Sequence, residues 1–280
     1  MGAFKKGNGE IPKSPYVTVD PWEKLKEYTD ARISLGRSGV SLPLREWLKF
    51  NLDHALAKDA VMLDFDHNGI ASELQKYQIR SISLESQARD KDEYLRRPDL
   101  GRLLNQESVK ILEESIAKEA DLYEGADAVI VICDGLSARA INTSALEVTV
   151  KFLKLLKLHS LKAAPVVIVT RGRVAAADHV NDYVKAKLVV NLIGERPGLS
   201  SPDSMGAYIT YGAFKGILEE SRNCISNIRP AGLKVDEAVK KLSYIVQKAF
   251  AMKITGTSLK DDMPDNYLPF DIIPALAGES

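Results

Sequence analysis

The sequence predicts an α/β fold built on a parallel sheet, and three observations carry that prediction. Three apolar runs, AVIVIC (128–133), PVVIV (165–169) and KLVVNLI (187–193), read as strands buried on both faces. Helical patterns alternate with them, which is the signature of a sheet covered on each side. A glycine-bearing loop follows each strand: CDGLSA (133–138), TRGRV (170–174) and GERPGLSSPDS (194–204). Together they predict a Rossmann-like doubly wound domain over residues 105–280. A small helical N-terminal domain over residues 21–104 and a flexible polar tail over residues 1–20 precede it.

Taken in order, a helix is expected from Pro21 through WEKLKEYTDARIS to Gly36. A second starts with Ser41 as cap and Pro43 in its first turn, and Leu48, Leu52, Ala55 and Leu56 repeat at helical spacing. Residues 70–78 read as a short helix, and RRPDLGR as a basic turn. Asn105 caps a helix striped by Val109, Leu112, Ile116 and Ala120, which ends at Gly125. After the first strand, Ile141, Ala145, Val148, Phe152 and Leu155 mark the next helix, and DHVNDYVKA a shorter one. A last helix, with Ala238, Leu242, Ile245, Ala249 and Met252 on one face, closes the core.

Bulk properties exclude several classes. The 38 basic and 38 acidic side chains cancel, so no electrostatic footprint favours nucleic acid or an anionic membrane. Cys133 and Cys224 lie in different segments without CxxC spacing, as expected in a reducing cytosol. No apolar run reaches membrane-spanning length, and MGAFKKGNGEIPKSP lacks the apolar centre of a secretory signal. A cytoplasmic protein is expected.

Ligands of open parallel sheets collect beyond the carboxyl ends of the strands. Any one of the three loops there is an ordinary strand-to-helix turn; three together, with RNCISNIRP (222–230), suggest a binding crevice. In the stretch 194–230, two loops rich in glycine, proline, serine and charge flank a short alternating segment. That content suits a large polar ligand with phosphate, amide and sugar groups. GxGxxG, GxxxxGK[ST] and HExxH are all absent. Asp64, Asp66, Asn68 and Gly69 match the start of a calcium loop, but Gln75 holds the position of the bidentate glutamate, so a helix-connecting turn is the simpler reading. His54 lies on an otherwise core-forming helix as a polar-edge residue, and Arg96, Arg97 and Arg102 read by default as a solvated surface. From the residues alone, Cys224 is a packing contact or a weak hydrogen-bonding group. Two other classes stay open: a free-standing Rossmann-like enzyme using a nucleotide or S-adenosylmethionine, and a non-catalytic scaffold.

The strings ARISLGRSGVSLPLREWLKF, YLRRPDLGRLL, CDGLSA, LIGERPGLSSPDSMGAYITY and RNCISNIRPAGL resemble the small (light) subunit of ethanolamine ammonia-lyase. The likeness runs from about residue 20 to about residue 262, and its strings are long and unusual. It implies an adenosylcobalamin-dependent enzyme that converts ethanolamine to acetaldehyde and ammonia by a radical mechanism. It also implies a separate large subunit, a TIM barrel that holds the substrate, in a hetero-oligomer associated with a bacterial microcompartment. Residues 105–280 then form the cobalamin-binding domain, with contacts at Val174, Glu195 and Cys224 and neither a catalytic residue nor a metal ligand in this chain. No histidine follows an aspartate as in DxHxxG; in DFDHNG, Phe65 stands where the aspartate would be. Base-on cofactor binding is the expectation.

Overall fold

The structure, a computed structural model, describes residues 16–29 and 31–267. The tail expected over residues 1–20 lies mostly outside them. The chain divides into two compact units, the first ending at Leu56 and the second beginning at Ala57.

In the first unit, the helix expected from Pro21 is reduced to one 3-10 turn, Glu23–Glu27. Local side chains compete with helical bonding there: Asp20 accepts from the Trp22 N–H at 2.9 Å, and Thr29 from the Ala31 N–H at 3.1 Å. Helix α1, Leu44–Met62, begins directly after Pro43 and continues across the division. Arg32 braces it, donating to the Glu46 carbonyl at 3.1 Å and lying 5.0 Å from the Phe50 ring centre. α1 is not core-forming. It buries Ala60 alone, whereas Leu44, Trp47, Leu48 and Leu52 are exposed.

The second unit continues with α2 (His67–Lys76), β1 (Ser81–Glu85), α3 (Lys91–Arg96), α4 (Gln106–Lys118) and α5 (Ala120–Tyr123). Then follow β2 (Ala128–Cys133), α6 (Ala138–Leu158), β3 (Val166–Thr170), α7 (Ala176–Val184) and β4 (Leu188–Gly194). β5 (Met205–Tyr211), β6 (Asn223–Ile228) and α8 (Val235–Met252) complete it. Side-chain caps fix several starts: Asn105 accepts from the Ser108 N–H at 2.7 Å, and Asp66 from the Gly69 N–H at 2.9 Å. Asp66 thereby makes DFDHNG the entry to α2, the helix-connecting turn predicted for it.

The six strands form one sheet in the order β1-β3-β2-β4-β5-β6. β1, β3, β2 and β4 run parallel, while β5 and β6 are antiparallel additions at the far edge. Two features differ from the sequence expectation. Ser81–Glu85 falls inside the stretch read as helical, yet it pairs along its length with Val166–Thr170. With only Ile82 and Leu84 as large apolar residues, SISLE is too short to display a strand period. RNCISNIRP, read as a loop, supplies β6; its polar residues hide a strand whose inward positions are Ile225 and Ile228.

Each face of the sheet carries its own core. One gathers Ile70 and Leu74 of α2, Ile141 and Phe152 of α6, and Leu242 and Ile245 of α8 over Ile130, Ile132, Val190, Leu192 and Ile209. The other gathers Leu112 of α4, Tyr123 of α5, and Val180 and Val184 of α7 over Val129, Val131, Val167 and Val169. The second core stops at Tyr208, so β6 shows that face uncovered.

Candidate functional site

The carboxyl ends of β2 and β4 meet backbone to backbone. The Leu136 N–H donates to the Gly194 carbonyl at 2.9 Å. A Cβ on Gly135 would lie 2.2 Å from that oxygen, and one on Gly194 would lie 2.2 Å from the Ser137 carbonyl, so neither position tolerates a side chain. Ser137 caps α6 and donates to the Pro202 carbonyl at 2.8 Å, which anchors the 194–204 loop. From the other side, Arg229 donates to the Ser200 carbonyl at 3.0 Å.

Asn191 of β4, Tyr208 of β5 and Cys224 of β6 stand side by side in register, from buried Asn191 to exposed Cys224 at the uncovered edge. Asn191 extends the row to the β3 side by donating its Nδ2 to the Val174 carbonyl at 3.1 Å. Glu195 sits just beyond the end of β4. Its carboxylate accepts from Ser204 Oγ and Ser226 Oγ, both at 2.5 Å, and from the Asn227 N–H at 3.2 Å. Val174, Glu195 and Tyr208 are half-buried, whereas Cys224 and Ser226 are exposed. Gly206 leaves the ground between Glu195 and Tyr208 flat, because a Cβ there would come within 3.0 Å of Glu195 Oε1 and 3.3 Å of the Tyr208 ring.

The electrostatics favour neutral contact groups. Crowding by the surrounding protein pushes the Cys224 thiol up to about 11; the Tyr208 hydroxyl opposes the shift and the Glu195 carboxylate adds to it. Burial, with Cys224 and Glu195 nearby, raises the Tyr208 phenol as well. Both stay protonated at neutral pH, so Cys224 is not a ready thiolate nucleophile. Behind the face, Arg222 and Asp178 form a buried ion pair at 2.5 Å, and Arg222 reaches Glu219 at 2.7 Å. That pair ties α7, which follows Val174, to the start of β6, which carries Cys224.

The structure thus gathers the three residues singled out in the sequence on one side of the sheet. Cys224 stands on a strand rather than a loop. Tyr208, Asn191 and the Asp178–Arg222 pair escaped sequence reasoning. The polar break in KLVVNLI marks Asn191, but cross-strand register alone brings Tyr208 to Cys224. The arginines of RRPDLGR stay at the surface: Arg96 pairs with Asp92, and Arg97 with Asp99 at 2.7 Å. His54 is on α1, stacked on Phe50 with ring centres 6.1 Å apart. Among the described residues no three His, Cys, Asp or Glu side chains form a metal-holding group, and no helix is long and apolar enough to cross a membrane.

A family model described as ethanolamine ammonia-lyase light chain (EutC) matches residues 19–260, most of the chain and the whole of this face. The chain belongs to the ethanolamine ammonia-lyase light chain family. Curated relatives agree. An ethanolamine ammonia-lyase small subunit of Pseudomonas fluorescens is 44% identical over 252 residues, covering 90% of this chain and 91% of its own length. The small subunit of Ralstonia nicotianae is 44% identical, covering 88% and 90%. That of Azotobacter vinelandii is 43% identical, covering 89% and 91%. Ethanolamine ammonia-lyase light chains therefore match both units of the chain, including α1 with its exposed apolar residues.

Proposed function

We propose that this chain is the small subunit of an adenosylcobalamin-dependent ethanolamine ammonia-lyase and forms part of the cobalamin site, while a larger TIM-barrel subunit holds the substrate. The observation that supports the reading is one cross-strand row on the sheet: Glu195 borders Gly206, Cys224 stands opposite Tyr208, and the Val174 carbonyl accepts from Asn191, the residue opposite Tyr208 on its other side. A corrin is a broad flat ring rimmed by amides, and a flat floor with acceptors and neutral hydroxyl and thiol groups fits it. Glu195, with three donors already bound and room for about four, accepts one further hydrogen bond from a corrin amide. Val174 packs against the ring or the nucleotide base. Cys224 and Tyr208 supply close, uncharged contact. The bound cofactor supplies radical chemistry through homolysis of its cobalt–carbon bond. The residues of this chain bind, orient and keep water away, and none of them performs the deamination. The lack of a DxHxxG motif supports base-on binding.

In the same reading the sheet, with its parallel part covered on both faces, is a Rossmann-like doubly wound scaffold extended by an antiparallel edge. The complex is a hetero-oligomer of the cytoplasm, associated with an ethanolamine microcompartment. The test is co-expression with the large subunit. Co-purification and ethanolamine turnover by the complex, with none from this chain alone, are expected. Turnover by the isolated chain on a nucleotide or S-adenosylmethionine substrate would overturn the reading.

A further inference from the structure

In YLRRPDLGR, Tyr94 and Gly101 rather than its arginines reach the turn that leads to Val174. Tyr94 is fully buried, and its hydroxyl donates to the Gly172 carbonyl at 3.0 Å. Asp134, 2% exposed at the end of β2, accepts from the Gly172 N–H at 3.1 Å. One peptide residue is therefore held at both its polar groups by buried side chains from distant elements. The turn needs such holding. Arg171 has φ +58°, in the left-handed region that residues other than glycine seldom adopt. A Cβ on Gly172 would lie 2.6 Å from Cys133 Sγ. The Arg173 N–H donates to the Gly101 carbonyl at 2.7 Å, and the Arg173 guanidinium lies 4.2 Å over the Tyr94 ring. Val174 comes next in the chain. Burying a phenol hydroxyl and a carboxylate is unfavourable unless they are hydrogen-bonded, and phenylalanine would fill the core as well as Tyr94 does. The Gly172 peptide is the hydrogen-bond partner the two share, with Lys91 lying 3.9 Å from the other Asp134 oxygen.

We propose that Tyr94 and Asp134 are positioning residues for the Val174 contact: their paired hydrogen bonds to Gly172 hold the Arg171–Val174 turn in its left-handed form and set where Val174 meets the ligand. This rests on the cobalamin reading above.

The test uses the full chain in complex with the large subunit, hydroxocobalamin as probe, and Tyr94→Phe, Asp134→Ala and Asp134→Asn variants. Two readouts are taken: amide exchange of the peptide spanning residues 170–175, and hydroxocobalamin affinity. Tyr94→Phe and Asp134→Ala are expected to speed exchange and weaken binding about five- to tenfold, the effect of one lost buried hydrogen bond. Asp134→Asn keeps an acceptor oxygen and should stay within about twofold of wild type, since the bond to Gly172 survives. Tyr94→Phe removes a single oxygen atom and keeps the test available if Asp134→Ala fails to fold. Unchanged exchange, or faster exchange with undiminished affinity, overturns the positioning role, as does an Asp134→Asn variant as weak as Asp134→Ala. A wild-type complex that does not bind hydroxocobalamin overturns the cobalamin reading itself, and with it this inference.

Discussion

Glu195 spends most of its bonding capacity inside the protein, which defines what a substitution there does. Its carboxylate joins the 194–204 loop to β6 through Ser204, Ser226 and the Asn227 N–H. Glu195→Ala is expected to cost roughly 1–2 kcal/mol in urea unfolding, because it leaves the buried Ser204 hydroxyl without its acceptor while the exposed Ser226 and Asn227 donors regain water. A change below a few tenths of a kcal/mol would show that the loop is held elsewhere. Cys224 gives a second expectation. With its thiol at about 11, the folded chain keeps a proton that the unfolded chain loses near the ordinary value. The group's contribution to stability is therefore present below the ordinary thiol pKa and falls as pH rises toward 11. Alkylation of Cys224 should likewise stay slow at pH 8 and rise only near pH 11, with buried Cys133 unreactive in the native protein; rapid labelling at pH 7 would contradict the environment described. At this scale Glu195 and Cys224 were singled out because they sit in long distinctive strings, and Val174 because it ends the loop after a buried strand. Tyr208 was not, since its partner across the sheet is 16 positions away and only strand pairing joins them.

Among the elements, the link between α7 and β6 depends on the Asp178–Arg222 pair, both buried. Arg222→Ala leaves Asp178 buried without its cation and is expected to cost about 3–5 kcal/mol. Replacing both residues by apolar ones of similar size should recover much of that loss in the same denaturation experiment. Asp134 makes the junction of β2 and β3 sensitive to pH. Burial raises its carboxyl to about 6, with Lys91 the main opposing charge. The folded state then holds a proton that the unfolded chain releases near pH 4, so stability falls as pH rises from about 4 to about 6, by at most roughly 3 kcal/mol. Burial raises Asp178 to about 6 as well, so Asp134→Asn should remove about half of the combined slope of these two groups in denaturation curves taken from pH 4 to 7; an unchanged slope would assign it to Asp178 and other groups. The elements themselves were legible in proportion to their apolar period. AVIVIC and KLVVNLI announce buried strands, whereas SISLE and NCISNI offer two inward residues each, and their strand character comes from neighbours already in the sheet.

At the scale of the molecule, the parallel strands and the helices on both faces follow from alternating buried runs and amphipathic stripes. The antiparallel edge does not. Yet that edge creates the open face, since the helices of the second core end before β6. In the N-terminal region the helix after Pro43 forms as expected, whereas the one expected from Pro21 shrinks to a 3-10 turn and SISLE joins the sheet; the apolar period of α1 gave the helix and not its burial, since Leu44, Trp47, Leu48 and Leu52 are exposed. Whether the open face is a cobalamin platform is decided most directly by measuring cobalamin affinity in the complex with the large subunit, for wild type and for a Glu195→Ala, Cys224→Ala double variant of confirmed assembly. The prediction is a cobalamin spectrum retained through gel filtration by the wild type and at least about tenfold weaker binding in the double variant, the equivalent of roughly 1.4 kcal/mol. Equal affinity in the two complexes would contradict it.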